Sequence, residues 1–133
     1  MFKKFPSIEN HYQIKFINGF LENYPELKNM TYIITEKRDG ANIQLIFEPD
    51  EMHVSVASRN RIIKTHEDFY NVFNILPRYS KLFSYIHELA NNIKMYINVY
   101  GELFGKGIQN RIYYGDDKYF ELFDIYAYDE NDS

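Results

Sequence analysis

Lys37 is the residue of this sequence with the clearest chemistry open to it. It stands in TEKRDGANIQL, at the end of the apolar run MTYIIT and just before a glycine turn. An amine attacks only when deprotonated, and a free lysine has a pKa of about 10.4, so a nucleophilic lysine needs burial or neighbouring cations. A lysine at a strand end beside a tight turn sits on a rigid base and faces a pocket. The plain alternative is a solvated lysine beside a hairpin turn built on Asp39-Gly40. Glu102 is the second candidate: a carboxylate inside the apolar run VYGELFG (99–105) suits neither a core nor a plain surface. Arg59, with Arg61 and Lys64, makes a basic turn that either meets an anion through charge-assisted hydrogen bonds or faces water. Gln109 and Asn110 fall in a polar loop and read equally as nucleic-acid contacts or solvated side chains. Phe123, in ELFDI (121–125), reads as core when taken alone.

Other chemistries are excluded. There is no cysteine, which removes a disulfide scaffold, a cysteine-ligated zinc site and a thiol nucleophile, and is compatible with a reducing compartment. His11, His53, His66 and His87 lack ligand spacing. GELFGKG hints at a phosphate loop but is one residue short and has no Ser or Thr after Lys106. No G-x-S-x-G occurs. A net charge of −4 rules out nucleic-acid binding by bulk charge, so any such contact is local or shared with another chain or domain. No apolar run approaches ~18 residues, and no apolar stretch follows the N-terminal lysines, so neither a membrane-spanning helix nor a secretory signal is expected.

The elements that must position these residues follow from periodicity. With 133 residues, 45% hydrophobic, the chain has material for one core and one domain. Apolar positions Ile8, Tyr12, Phe16, Ile17, Phe20, Leu21 and Tyr24 predict a helix capped by Ser7 and ended by Pro25. MTYIITEK (30–37) predicts a strand, RDGAN a tight turn, and ANIQLIFE (41–48) and MHVSVAS (52–58) two further strands, together a β-meander turning at Asp39-Gly40. Residues 66–94 carry helical spacing on both sides of Pro77, best over Leu82, Phe83, Ile86, Leu89 and Ile93. KMYINVYGELFG (94–105) and KYFELFDIYAY (118–128) return to strand, with a polar, glycine-bearing loop between them. The expected class is α+β: an antiparallel sheet with packed helices. Most of the 13 Tyr and 11 Phe are expected to build core and sheet, although such rings also stack on bases.

Taken in order, Lys37, ASR (57–59), VYGELFG and ELFDI resemble the nucleotidyltransferase superfamily of ATP-dependent ligases and capping enzymes, and most closely the RNA ligase 2 family. The nucleophile motif of that family, E-K-x-x-G-x-N, is matched by Glu36, Lys37, Gly40 and Asn42. Its next motif carries an arginine, matched by Arg59; a G-E motif is matched by Gly101-Glu102, and an F-D motif by Phe123-Asp124. MFKKFPSIENHY and GKGIQNRIYYGDDKYF also look like phage-type members. The resemblance implies an ATP-dependent RNA ligase with ATP and Mg2+ as cofactors. Lys37 would take AMP from ATP, pass it to the 5′-phosphate of RNA, and the adjacent 3′-OH would displace it to seal the strand. It further implies that Glu36 helps recognise adenine, Asn42 assists at the phosphate, Arg59 contacts nucleotide or RNA end, Glu102 holds the ribose hydroxyls, Phe123 stacks on adenine, and Asp124 orients the pocket or the metal environment. No metal ligand is assigned.

The same family carries a fourth motif with a glutamate and a fifth, K-x-K, beyond the F-D position. Only nine residues follow Asp124, and none fits. Residues 1–133 are therefore expected to be the N-terminal portion of an incomplete nucleotidyltransferase domain with no second domain, truncated or split, and to need a second chain or a missing C-terminal segment. The alternative is a non-catalytic nucleotide- or RNA-binding remnant of such a ligase. The expected location is the cytoplasm, that of the host if the chain is viral.

Overall fold

In the run ANIQLIF apolar side chains alternate with Asn and Gln, and it forms strand β1 (Ala41–Phe47). The structure is a computed structural model that describes residues 2–4, 14–31, 33, 35–109, 111–129 and 131. The chain divides into two units, Pro6–Lys37 and a larger one of Met1–Phe5 with Arg38–Ser133.

The larger unit is built on one antiparallel sheet in the order β3-β2-β1-β4-β5. Its other strands are β2 (Val54–Ser58), β3 (Ile62–Ile63), β4 (Tyr96–Gly105) and β5 (Lys118–Tyr128). Ile43, Leu45 and Phe47 of β1 and Ile97, Val99 and Leu103 of β4 are all buried on one face. Helices α2 (Val72–Ile75) and α3 (Ser80–Ile93), joined by a 3₁₀ turn at Leu76–Tyr79 that contains Pro77, supply the partners of that core. Ile86 and Ala90 of α3 are buried, and Phe83 and His87 pack on the Phe47 ring at 5.9 and 4.9 Å. The buried stripe thus runs through Phe83, Ile86 and Ala90. Leu82, Leu89 and Ile93, expected on the apolar face, are each about 40% exposed on its flank.

The smaller unit holds helix α1 (Ile14–Asn23); the earlier part of the expected helix, with its cap Ser7, lies outside the described residues. The helix stops at Asn23, two residues before Pro25. Tyr24, at φ −134°, has left the helical region as the residue before a proline does, and a 3₁₀ turn follows at Pro25–Asn29.

One expectation is corrected. None of the described residues of 30–37 is in a strand, and no hairpin turns at Asp39-Gly40. Composition fitted a pleated surface, but a strand exists only through a ladder with a neighbour. Both sides of β1 are taken, by β2 and by β4, so no edge was left for a hairpin partner. The chain instead enters β1 pressed against β4: a Cβ on Gly40 would stand 2.1 Å from the Leu103 carbonyl oxygen.

Candidate functional site

Period-two alternation places the polar residues of three strands on the face opposite the helices. Asn42 of β1 stands directly opposite Glu102 of β4, which stands opposite Glu121 of β5. In the next row on the same face Gln44 pairs with Tyr100 and Tyr100 with Asp124. Asn42 and Glu102 are half-buried; Glu121 and Asp124 are exposed. Like charges directly opposite in a sheet destabilise it. Glu121 is offset by Arg38, whose Nε donates to its Oε2 at 2.9 Å.

The two rows differ by a β-bulge. Tyr100 faces Asp124 and Gly101 faces Leu122, so Phe123 is the extra residue on β5. A bulge bends its strand and re-aims a side chain, and here it leaves the Phe123 ring 46% exposed. Asp124 accepts the Ile125 N–H on its own Oδ1 at 2.8 Å. Gly101 is required by packing: a Cβ there would lie 2.4 Å from two ring carbons of Phe120 and 2.6 Å from the Glu121 carbonyl oxygen.

Below these rows the face is a closed polar network. Tyr128 donates its hydroxyl to Asn98 Oδ1 at 3.1 Å, and Asn98 donates Nδ2 to Gln44 Oε1 at 3.3 Å. Gln44 Nε2 and the Tyr100 hydroxyl both donate to the Lys3 carbonyl, at 2.6 and 2.8 Å. The Lys3 ammonium lies 4.1 Å from the centre of the Tyr128 ring. Burial pushes the Tyr128 hydroxyl up to about 12, against the opposing hydrogen bond to Asn98. Burial also raises the Tyr100 hydroxyl, and the nearby Asp124 charge raises it further.

The structure therefore brings Asn42, Glu102 and Asp124 to one face, with Phe123 in the bulge beside them. Arg59 is exposed just past the end of β2. Its neighbour Arg61 is engaged: Nη1 and Nη2 donate to the two oxygens of Glu67 at 3.0 and 2.8 Å, and with the Lys64 N–H they hold that carboxyl down at about 2. Glu36 and Lys37 are exposed and belong to the smaller unit, Lys37 by one peptide bond from Arg38. Gln109 is exposed and accepts from Arg111 at 3.3 Å; Asn110 lies outside the described residues. Sequence reasoning missed Tyr100, Asn98 and Gln44. Their signal was present, because Tyr96, Asn98, Tyr100 and Glu102 occupy every second position of β4.

A cleft of about 710 Å³ lies elsewhere, beside α2, with Thr65, His66, Tyr70, Asn74 and Lys118 in its wall and none of the expected site residues. Among the described residues no group of three or more His, Asp or Glu side chains is placed to hold a metal ion. The carboxylates of this face thus do not form a metal cage. What the face offers is a carboxylate acceptor at Glu102, an amide donor and acceptor at Asn42, and an exposed ring at Phe123. Among the described residues no helix is long and apolar enough to cross a membrane.

A profile of the family described as RNA ligase matches residues 30–133. Among solved structures, the Naegleria gruberi RNA ligase with PPi is similar, with 26% identity and a TM-score of 0.51 over 69% of this chain and 25% of that one. A mutant of the same ligase with AMP and Mn gives 22% identity and a TM-score of 0.61 over 94% of this chain and 34% of that one. The chain spans a quarter to a third of the length of these structures.

Proposed function

From its membership of the RNA ligase family, to which residues 30–133 assign the chain, we propose that it carries the nucleophile-bearing part of an ATP-dependent RNA ligase of the RNA ligase 2 type. The carrying observation is the cross-strand pairing of Asn42 with Glu102, with Asp124 on the same face, since it brings three separate motifs to one surface. The Naegleria gruberi ligase was solved with PPi and with AMP, the two halves of ATP divided between its α- and β-phosphates. That division is the one Lys37 requires.

In the proposed reaction the neutral Nζ of Lys37 attacks the α-phosphorus of ATP. The N–P bond forms, the bond to the bridging oxygen breaks, pyrophosphate departs and the amine loses a proton. AMP on nitrogen is a phosphoramidate, and protonation of that nitrogen makes it a good leaving group when the 5′-phosphate of RNA attacks. The adjacent 3′-OH then displaces AMP and seals the strand. Glu102 receives the ribose hydroxyls, Phe123 stacks on adenine, Asn42 assists at the phosphate, and Glu36 recognises adenine partly through its backbone. Asp124 orients the pocket, and Arg59 meets the nucleotide or the RNA end with charge-assisted bonds. Magnesium enters as part of the MgATP substrate, because Mg2+ keeps several waters and binds through phosphates rather than through an all-protein cage. The remaining wall of the pocket, and the K-x-K lysines that would lower the Lys37 pKa by adding positive charge, are proposed to come from a further segment or a second chain.

The test is sealing of a 5′-phosphorylated nick in duplex RNA, with a DNA nick beside it, in ATP and Mg2+. The chain is assayed alone and mixed with a segment bearing the fourth, glutamate-containing motif and K-x-K from a neighbouring reading frame. Sealing of RNA by the mixture, absent in Lys37→Ala, is expected. ATP binding with no AMP transfer in any mixture would favour a non-catalytic remnant.

A further inference from the structure

The three residues between Lys37 and β1 are each held in place. Arg38 is bound to Glu121, and its guanidinium lies over the rings of Phe104 and Tyr114 at 5.3 and 5.8 Å. The Asp39 N–H donates to the Tyr114 hydroxyl at 2.8 Å. The Asp39 carboxylate accepts a two-pronged contact from Arg111, Nε at 2.9 Å and Nη2 at 2.8 Å. Gly40 is wedged against Leu103. Tyr114 is itself fixed edge-on to Phe104 at 4.9 Å. Arg111 and Tyr114 both come from the loop between β4 and β5, more than 70 residues along the chain from Asp39.

Stability does not account for this arrangement. The Arg111 side chain is 70% exposed, and exposed ion pairs contribute about 0–1 kcal/mol. What a planar guanidinium fork does supply is a fixed direction. The backbone held in this way is the one that continues, through a single peptide bond, to Lys37. Consecutive Cα atoms are ~3.8 Å apart, so anchoring Arg38 and Asp39 fixes the point from which the Lys37 main chain starts. An in-line attack needs reacting atoms ~3–3.5 Å apart, and a misplacement of about 1 Å costs ~100-fold in rate.

We propose that Arg111 and Tyr114 are positioning residues for the attack of Lys37, acting through Asp39. The proposal rests on the reading of Lys37 as the nucleophile. It is tested by the rate of AMP transfer from α-labelled ATP under the conditions in which the unaltered chain becomes labelled. Tyr114→Phe keeps the ring on Phe104 and Arg38 and removes only the acceptor of the Asp39 N–H. It is expected to lower the rate at saturating ATP by ~10-fold, and Arg111→Ala by ~10–100-fold. The KM for ATP should stay within about twofold and the melting temperature within about 6 °C, since only an exposed pair or one hydrogen bond is lost. Exchanging the charges in Asp39→Arg/Arg111→Asp should recover part of the rate lost in either single variant.

Variants that label at the parent rate overturn the positioning role and leave the Lys37 reading standing. A raised KM at unchanged maximal rate also overturns it, because the residues would then bind nucleotide. A parent chain that never becomes labelled in any mixture removes the Lys37 reading, and the positioning role with it.

Discussion

Gly101→Ala separates a packing glycine from a merely permissive one. In an open strand alanine would stabilise by roughly 0.5–1 kcal/mol, because glycine loses more backbone freedom on folding. At position 101 the added methyl meets two Phe120 ring carbons at 2.4 Å and the Glu121 carbonyl oxygen at 2.6 Å. The ring has little room to retreat: it is buried, it stands edge-on to Tyr79 at 6.0 Å, and its own N–H donates to the Tyr79 hydroxyl at 3.0 Å. Moving the Glu121 carbonyl strains the β4–β5 ladder beside the bulge. Overpacking costs ~1–3 kcal/mol, and the upper part of that range minus the backbone gain leaves a net loss of about 2 kcal/mol. For a chain of this size that lowers the melting temperature by roughly 8 °C and the urea midpoint by about 1 M. The assay is urea unfolding of the parent, Gly101→Ala, Phe120→Leu and the double variant. The smaller side chain should make room, so the double variant is expected to be at least ~1 kcal/mol more stable than the sum of the single losses. A stabilised Gly101→Ala, or strict additivity, would refute the packing assignment.

Other outcomes follow from the same geometry. Gly40→Ala should destabilise by ~2 kcal/mol or more through its clash with Leu103, whereas Gly19→Ala in α1, with no atom of the described residues within 4 Å, should stabilise by up to about 1 kcal/mol; paired melts read both signs. Tyr128→Phe removes a buried hydroxyl bonded to Asn98 and should cost ~1–2 kcal/mol in urea unfolding. The folded pKa of Tyr128 is raised, so its contribution is complete below the unfolded value near 10 and is lost as pH rises toward about 12; an ultraviolet pH titration should show this late tyrosine, and Tyr128→Phe should remove it. The Glu67 pKa is depressed, so its contribution is present above the ordinary value of 4.5 and is lost as pH falls toward about 2. Carboxyl NMR should find Glu67 titrating at about 2, and Arg61→Ala should return it toward 4.5.

Strands β1, β2, β4 and β5 were legible because each is amphipathic or buried with period two, and that period is a property of the local sequence. The two-residue strand β3 was not, since Ile62-Ile63 is too short to show a period and is fixed only by its pairing with Val56 and Ala57. That none of the described residues of 30–37 is in a strand could not be read either, because occupancy of both edges of β1 is decided by β2 and β4. On α3 the buried stripe lay one step around the helix from the one expected: Ala90 is small enough to let the helix approach the sheet, while Leu82 and Leu89 are at the rim. Glu102 was singled out by residue type, and Asn42 and Asp124 by the resemblance to the family motifs; their common face follows from strand register, which no single motif contains. Arg111 and Tyr114 carried no local signal, because they act on Asp39 across more than 70 residues.

Lys37 as the acceptor of AMP is tested most directly by mass mapping. The chain, with the K-x-K segment supplied, is incubated with ATP and Mg2+, digested at alkaline pH, where a phosphoramidate survives, and its peptides are weighed. One AMP on the peptide that contains Lys37, lost on acid treatment and absent from Lys37→Ala and Lys37→Arg, is the predicted result, because a guanidinium keeps its charge but does not attack. AMP on any other residue, or undiminished labelling of Lys37→Ala, would contradict the account.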